Sequence, residues 1–300
     1  MNWLLNNSSF QNPAVITTGR DGEEQDLVGG HKKPKIKLPA NTFFTCFSYT
    51  IKKMTPSIKV IQKTPFIAIN KPLWLAQSLF PIETEVVGPA SVSKQILLAK
   101  FIWEHGADHI FIDGSLDRRA IASSSIIKNI FLVAGAQKGN LEKITSQLEN
   151  LVTLSTIPKL SIQPQSFITF YKKKDIIKSS IKNIYGNEKE ISLYMNASQI
   201  YFPGALTDRS FERLKNFFPK FKGKLVFNHP FVLQISNKNL KFLKEHTNIF
   251  CVNGFDISAL ALNSFSPAGN HINCKQMREQ LRRKFPNLLI FDTKEVSYEQ

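Results

Sequence analysis

Runs of four or five apolar residues recur along the chain, and segments with helical spacing separate several of them. The runs Ala14–Thr18, His109–Ile112 and Ile130–Val133 have the length and the β-branched or aromatic content of strands. A helix is predicted from Ser91 to Gly106, because apolar residues recur there at intervals of three and four. Continuous apolar strands joined by helices are typical of a mostly parallel sheet that is covered on both faces.

The same alternation continues after Pro158. Apolar runs of strand length are separated there by amphipathic segments, which indicates a second α/β unit. The predicted strands of this part are Phe167–Tyr171, Gln199–Phe202, Lys224–Phe227, Ile249–Val252 and Leu288–Phe291. Proline and serine interrupt the pattern around Thr153–Pro164, so we expect an N-terminal α/β unit at 1–157 and a second one at 158–300.

The length and composition are those of a globular protein. No apolar run approaches the roughly 18–20 residues that a membrane span needs, and the N-terminus lacks a secretory signal, so we expect a cytoplasmic protein. The three cysteines are widely separated and predict neither a disulfide frame nor a zinc site. The net charge of +16 comes mostly from single lysines and no nucleic-acid motif accompanies it, so we expect neither a nucleic-acid nor a membrane partner.

Asp113 follows the apolar run His109–Ile112 and precedes Gly114. A buried strand that ends in aspartate has the form of a Walker B strand, whose carboxylate holds Mg²⁺ or its water beside nucleotide phosphates. An Asp-Gly pair after a strand is also ordinary turn chemistry. The pattern alone leaves both interpretations open.

Two further polar segments are candidates for phosphate or metal contacts. The loop Gly19–Glu24 offers Asp21 or Glu23 as a second metal-associated carboxylate and Arg20 as a phosphate ligand, while the alternative is a solvated acidic turn. In the segment Asp117–Arg119, Arg118 or Arg119 can meet a phosphate or a partner protein, or both can be ordinary surface arginines.

A P-loop protein needs a phosphate cradle, normally GxxxxGK[ST], in which backbone N–H groups and a lysine neutralise the phosphates. The chain contains no such motif. Its first residues, MNWLLNN, have the pattern of a helix end and stand shortly before the predicted strand Ala14–Thr18. In a P-loop domain a strand and the cradle precede that helix, so we expect both to be missing from the N-terminal unit.

Six sequence blocks, in order over nearly the whole chain, resemble one family, the reactivase subunit of lysine 5,6-aminomutase. The blocks are TTGRDGEEQD at 17–26, KKPKIKLPANT at 32–42, GPASVSKQ at 88–95, IDGSLDRRAIAS at 112–123, PGALTD at 203–208 and NSFSPAG at 263–269. The resemblance implies a P-loop fold similar to dethiobiotin synthetase. It also implies a subunit of an ATP-dependent factor that reactivates the adenosylcobalamin-dependent aminomutase together with a MutS-like ATPase.

ATP and Mg²⁺ are the cofactors that the resemblance implies. We expect Asp21 and Asp113 to serve catalysis and bind the metal, and Arg20, Gly114 and Arg118 to contact the nucleotide. Because the cradle motif is absent, we expect this chain to bind ATP weakly or not at all. Direct cobalamin binding is not expected, since the chain contains no DxHxxG motif.

The unit at 158–300 is the candidate for recognition of the client aminomutase or the ATPase partner. Asp208 in PGALTD and Phe265 in NSFSPAG are its candidate contact residues, because both blocks follow predicted strands. Two other functions stay open, namely a non-catalytic α/β interaction protein without nucleotide and a ligase of the dethiobiotin synthetase type. A nucleic-acid-binding protein is a further alternative that rests on the charge alone.

Overall fold

The computed structural model describes residue 5 and the ranges 10–21, 36–113, 126–127, 129–135, 141–172, 175–263 and 272–292. The chain divides into two compact units, Met1–Ile121 and Ala122–Gln300. The sequence predicts the boundary between the two units between residues 157 and 158. The observed division comes earlier because the buried leucines of the helix Leu141–Ser155 belong to the hydrophobic core of the second unit.

The first unit contains nine described strands and two described helices. The helices are α1 (Ser48–Met54) and α2 (Val92–Glu104). The strands are β1 (Pro13–Ile16), β2 (Arg20–Asp21), β3 (Ile36–Leu38), β4 (Phe43–Cys46), β5 (Ile58–Ala68), β6 (Lys71–Ser78), β7 (Ile82–Thr84), β8 (Val86–Val87) and β9 (His109–Ile112).

The main sheet of the first unit has the strand order β5-β6-β4-β1-β9. β1 lies parallel to β4 and β9, whereas β6 runs antiparallel to both β4 and β5. The predicted α/β class is confirmed, but the sheet is mixed because a tight hairpin joins β5 to β6. All four residues of β1 are buried, as a strand flanked on both sides requires.

The second unit contains ten described strands and five described helices. The helices are α3 (Leu141–Ser155), α4 (Glu188–Ser192), α5 (Asp208–Leu214), α6 (Asn237–His246) and α7 (Cys274–Lys284). The strands are β10 (Asn129–Gly135), β11 (Thr169–Lys172), β12 (Asp175–Lys178), β13 (Gln199–Phe202), β14 (Leu206–Thr207), β15 (Lys224–Phe227), β16 (Leu233–Gln234), β17 (Asn248–Cys251), β18 (Asp256–Asn263) and β19 (Ile290–Asp292).

Two sheets share the hydrophobic core of the second unit. One has the order β12-β11-β13-β15-β17, with β13, β15 and β17 parallel and β11 antiparallel to its neighbours. The other, β10-β18-β19, is parallel throughout. Phenylalanines fill much of the space between the elements, for example in the stacked pairs Phe202–Phe227 and Phe211–Phe218. Among the described residues, each helix is too short or too polar to cross a membrane.

His229 lies at the edge of this aromatic core, directly after β15. Only 1% of the residue is exposed, and its ring stacks on Phe255. Its Nδ1 accepts a hydrogen bond from the backbone N–H of Phe231 at 3.2 Å, and Nε2 has no hydrogen-bond partner among the described residues. Burial lowers the pKa of His229 from 6.5 to about 4. The imidazole is therefore neutral in the folded protein at neutral pH.

We predict that His229 makes the second unit sensitive to acid. Below pH 6.5 the unfolded chain binds a proton at His229, whereas the folded chain binds it only near pH 4. The free energy of unfolding therefore decreases as the pH falls from 6.5 to about 4. His229→Asn keeps an acceptor for the N–H of Phe231 and removes the titration. Denaturant unfolding at pH 7 and pH 4.5 should show a stability loss about 2 kcal/mol larger in wild type than in His229→Asn.

The matched control is His246→Asn, which replaces an exposed histidine on α6. This variant should keep the pH dependence of wild type. An equal loss of stability in wild type and His229→Asn would show that His229 does not resist protonation in the folded protein.

Candidate functional site

The parallel strands β4, β1 and β9 end along one edge of the main sheet of the first unit. The register pairs Ile16 of β1 with Ile112 of β9, so the residues that follow both strands are neighbours. Thr17 and Thr18 follow β1, and Asp113 follows β9. In parallel sheets this carboxyl edge is where ligands bind, which makes it the candidate site.

Asp113 is joined to the end of β1 by two hydrogen bonds. Its backbone N–H donates to the carbonyl oxygen of Ile16 at 2.8 Å, and its own carbonyl oxygen accepts from the hydroxyl of Thr18 at 3.2 Å. Its carboxylate side chain is exposed. The backbone thus holds Asp113 in place while the carboxylate remains accessible to a ligand.

The segment 86–88 closes the other side of this edge. The hydroxyl of Thr17 donates to the carbonyl oxygen of Val86 at 3.1 Å, and the N–H of Gly88 donates to the carbonyl oxygen of Gly19 at 2.6 Å. β2 follows Gly19 and pairs antiparallel with β8, so the chain after Gly19 runs along the same segment. The backbone of Arg20 and Asp21 is therefore held against β8 by strand pairing.

Gly88 is required for this close approach. A Cβ atom on Gly88 would lie 2.0 Å from the carbonyl oxygen of Thr17, which is far inside van der Waals contact. Any other residue would push apart the two backbone segments that border the site.

The first turn of α2 adds a buried amide to this region. The side chain of Gln95 is fully buried and its Nε2 donates to the carbonyl oxygen of Pro89 at 2.8 Å. Its Oε1 has no hydrogen-bond partner among the described residues. Buried acceptor atoms are usually hydrogen-bonded, so this oxygen is an exception among the described residues.

The predicted site residues are partly brought together. Asp113 and the backbone of Arg20 and Asp21 lie at the same edge of the sheet through their hydrogen bonds to the end of β1 and to β8. The side chains of Arg20 and Asp21, and all of Gly114 and Arg118, lie outside the described residues. Whether Asp21 and Asp113 share a metal stays a prediction.

The chemistry of the described donors suits a hard cation. Mg²⁺ prefers carboxylate and hydroxyl oxygens, and Asp113 and Thr18 present one of each at this edge. Within the described ranges, no three His, Cys, Asp or Glu side chains come together as a metal-binding group. Any cation here would therefore keep several waters or phosphate oxygens in its coordination sphere, which is usual for Mg²⁺.

Four residues of this region were not selected from the sequence as site residues: Thr17, Thr18, Gly88 and Gln95. Two sequence features could have indicated these residues. One is the segment Thr-Thr-Gly after a buried strand, and the other is the Gly-Pro pair before a helix. Both patterns occur in the blocks that resemble the reactivase family.

Asp208, predicted to contact a partner, makes internal hydrogen bonds in the second unit. Its Oδ1 accepts from the backbone N–H of Ser236 at 2.9 Å and from Nδ2 of Asn239 at 2.7 Å. These bonds tie the start of α5 to the start of α6. Phe265 lies outside the described residues. Partner recognition by either residue stays a prediction.

The chain matches no family model, no curated protein and no solved structure.

We predict that Gly88→Ala destabilises the first unit by about 3 kcal/mol, because the added methyl group cannot fit beside the carbonyl oxygen of Thr17. Gly135→Ala is the matched control, since a Cβ there has no atom within 4 Å. Chemical denaturation followed by circular dichroism measures both. Equal stability of the two variants would mean that the backbones at Gly88 and Thr17 separate at little cost.

Proposed function

We propose that the chain is the α/β subunit of an ATP-dependent factor that reactivates adenosylcobalamin-dependent lysine 5,6-aminomutase, acting with a MutS-like ATPase. Such a factor opens the inactivated aminomutase so that damaged cobalamin leaves and intact cofactor enters. It needs different affinities for two states of its client, which nucleotide binding or hydrolysis switches. The carboxyl edge of β4, β1 and β9 is the proposed nucleotide-responsive site.

One observation carries the proposal, namely that three of the resembling blocks meet at this edge. Thr18 of the first block and Asp113 of the fourth are joined by a hydrogen bond across 95 residues of sequence. Gly88 of the third block donates to Gly19 of the first. Blocks distant in sequence that converge where an α/β sheet binds ligands support a shared functional site.

Within this site each residue has a separate role. The proposed role of Asp113 is to hold Mg²⁺ or one of its waters, and Thr18 positions Asp113 through the backbone. Bound Mg-ATP would supply a phosphoryl group and a charge that differs before and after hydrolysis.

The absent GxxxxGK[ST] motif favours a second candidate, a non-catalytic interaction subunit that leaves ATP turnover to the MutS-like partner. In that case the chain binds the client in the same complex but binds no nucleotide itself. A ligase of the dethiobiotin synthetase type would instead consume ATP only with a small carboxylate or amine substrate, without the client.

The test is a reactivation assay with purified components. Lysine 5,6-aminomutase is inactivated by turnover and then incubated with adenosylcobalamin, Mg-ATP, the MutS-like ATPase and this chain. We expect recovery of activity only when both proteins and ATP are present. Recovery that is unchanged when the chain is left out would remove the reactivase proposal. ATP consumption without the client, stimulated by a small substrate, would favour the ligase.

We predict that Asp113→Asn lowers the rate of reactivation by about tenfold or more, because it removes a charge that faces the metal without changing side-chain volume. The control is Asp175→Asn, an equal substitution of an exposed aspartate in the second unit. Circular dichroism and thermal melting should be unchanged for both. A reactivation rate equal to that of wild type would indicate that Asp113 only forms the turn after β9.

Calorimetry of the chain alone with Mg-ATP separates the two candidates. Asp113-dependent binding would support a nucleotide site in this chain, while reactivation without such binding would support the non-catalytic subunit.

A further inference from the structure

Two buried threonine hydroxyls hold the short strand β8 at the carboxyl edge of the main sheet. Thr45, in β4, is fully buried, and its hydroxyl donates to the carbonyl oxygen of Val87. Thr17, directly after β1, is 1% exposed, and its hydroxyl donates to the carbonyl oxygen of Val86 at 3.1 Å. Two consecutive carbonyl groups of β8 are thus bonded to side chains from the neighbouring parallel strands β4 and β1.

These side-chain bonds take the place of backbone pairing. Among the described strands, β8 pairs only with β2 and forms no ladder with β1 or β4. Both valines of β8 are fully buried, and buried backbone carbonyl groups need hydrogen-bond donors. The hydroxyls of Thr17 and Thr45 supply such donors on the side of β8 that faces the main sheet.

The residue type at position 45 supports this role. Its neighbours along the chain are Phe43, Phe44, Cys46 and Phe47, all of which are buried. Valine matches threonine in shape and would suit this apolar strand better, because a buried hydroxyl costs free energy unless it makes a hydrogen bond. The bond to Val87 therefore explains why a hydroxyl is present in this strand.

β8 in turn determines where β2 lies. Val87 pairs with Arg20, and Val86 pairs with Asp21. The sheet of β2 and β8 has no other member among the described strands. A shift of β8 would therefore move the backbone of the two residues that are the candidate phosphate ligand and the candidate metal ligand.

We propose that Thr45 is a positioning residue of the candidate site, which fixes β8 together with Thr17 and, through β8, the backbone of Arg20 and Asp21. Its hydroxyl is buried and acts on a ligand only through this chain of contacts. The expected effect on reactivation rests on the proposed function, whereas the effect on the backbone is measured on the chain alone.

The first experiment measures hydrogen exchange of the full chain without ligand. Thr45→Val removes the hydroxyl and keeps the shape of the side chain, so exchange in the segments 19–21 and 86–88 should accelerate about tenfold, the effect of one lost hydrogen bond. Thr45→Ser keeps the hydroxyl and should restore the rates of wild type in both segments.

The matched control is Thr42→Val, at the opposite, amino end of β4. Thr42 is also fully buried, and its hydroxyl donates to the carbonyl oxygen of Pro39 at 2.8 Å. The substitution removes the same kind of bond from the same part of the chain. It should leave exchange in the segments 19–21 and 86–88 at the rates of wild type.

The second experiment measures the Mg²⁺ dependence of reactivation. Thr45→Val should raise the Mg²⁺ concentration at half-maximal rate about tenfold, because a displaced Asp21 binds the metal less tightly. Thr45→Ser and Thr42→Val should keep the value of wild type. Thermal melting should show a similar loss of stability in Thr45→Val and Thr42→Val, so a difference in Mg²⁺ dependence between them does not come from stability.

The outcomes separate this inference from the proposed function. Exchange in the segments 19–21 and 86–88 that is unchanged in Thr45→Val overturns the positioning role, whatever the reactivation assay shows. Accelerated exchange in a factor that reactivates with the Mg²⁺ dependence of wild type overturns the role of Thr45 in the site and leaves the reactivase proposal standing. A wild-type chain that does not reactivate overturns the proposed function, while the exchange rates still decide whether Thr45 fixes β8.

Discussion

The contact between Gly88 and Thr17 is the constraint on which the first unit depends. Two backbone segments from distant parts of the sequence approach so closely that no Cβ atom fits between them. The hydrogen bonds of Thr17 to Val86 and of Gly88 to Gly19 hold this contact from both sides. As a result the end of β1, the pair β2 and β8 and the start of α2 are assembled as one structure, with Asp113 attached through Thr18.

Much of the local fold could be predicted from the sequence, because short apolar runs carry a strong signal. Gln199–Phe202 and Lys224–Phe227 are strands with the predicted ends, and α6 begins after Ser236, whose side chain accepts from the N–H of Asn239. β5 could not be predicted over its full length, because lysines, proline and two bulges break its alternation. β18 was missed, since Asp256–Asn263 has small residues where a buried strand usually has branched ones.

The sequence predicts a site residue only when the position of that residue relative to its own strand indicates its place in the sheet. Asp113 follows the apolar strand β9, whose residues are exposed or only partly buried, and the topology brings it to the expected edge of the sheet. Thr18 and Gly88 acquire their roles from partners that lie many residues away, and no local pattern encodes such a pairing. Gln95 looks like an ordinary polar residue on a helix, and only its full burial shows that an acceptor atom needs a partner there.

The internal hydrogen bonds of Asp208 bear on its predicted role as a partner contact. Sequence reasoning favoured the second unit, yet the carboxylate of Asp208 is already used by Ser236 and Asn239. Residues whose polar groups are satisfied internally gain little from a new partner, because existing hydrogen bonds must first be broken.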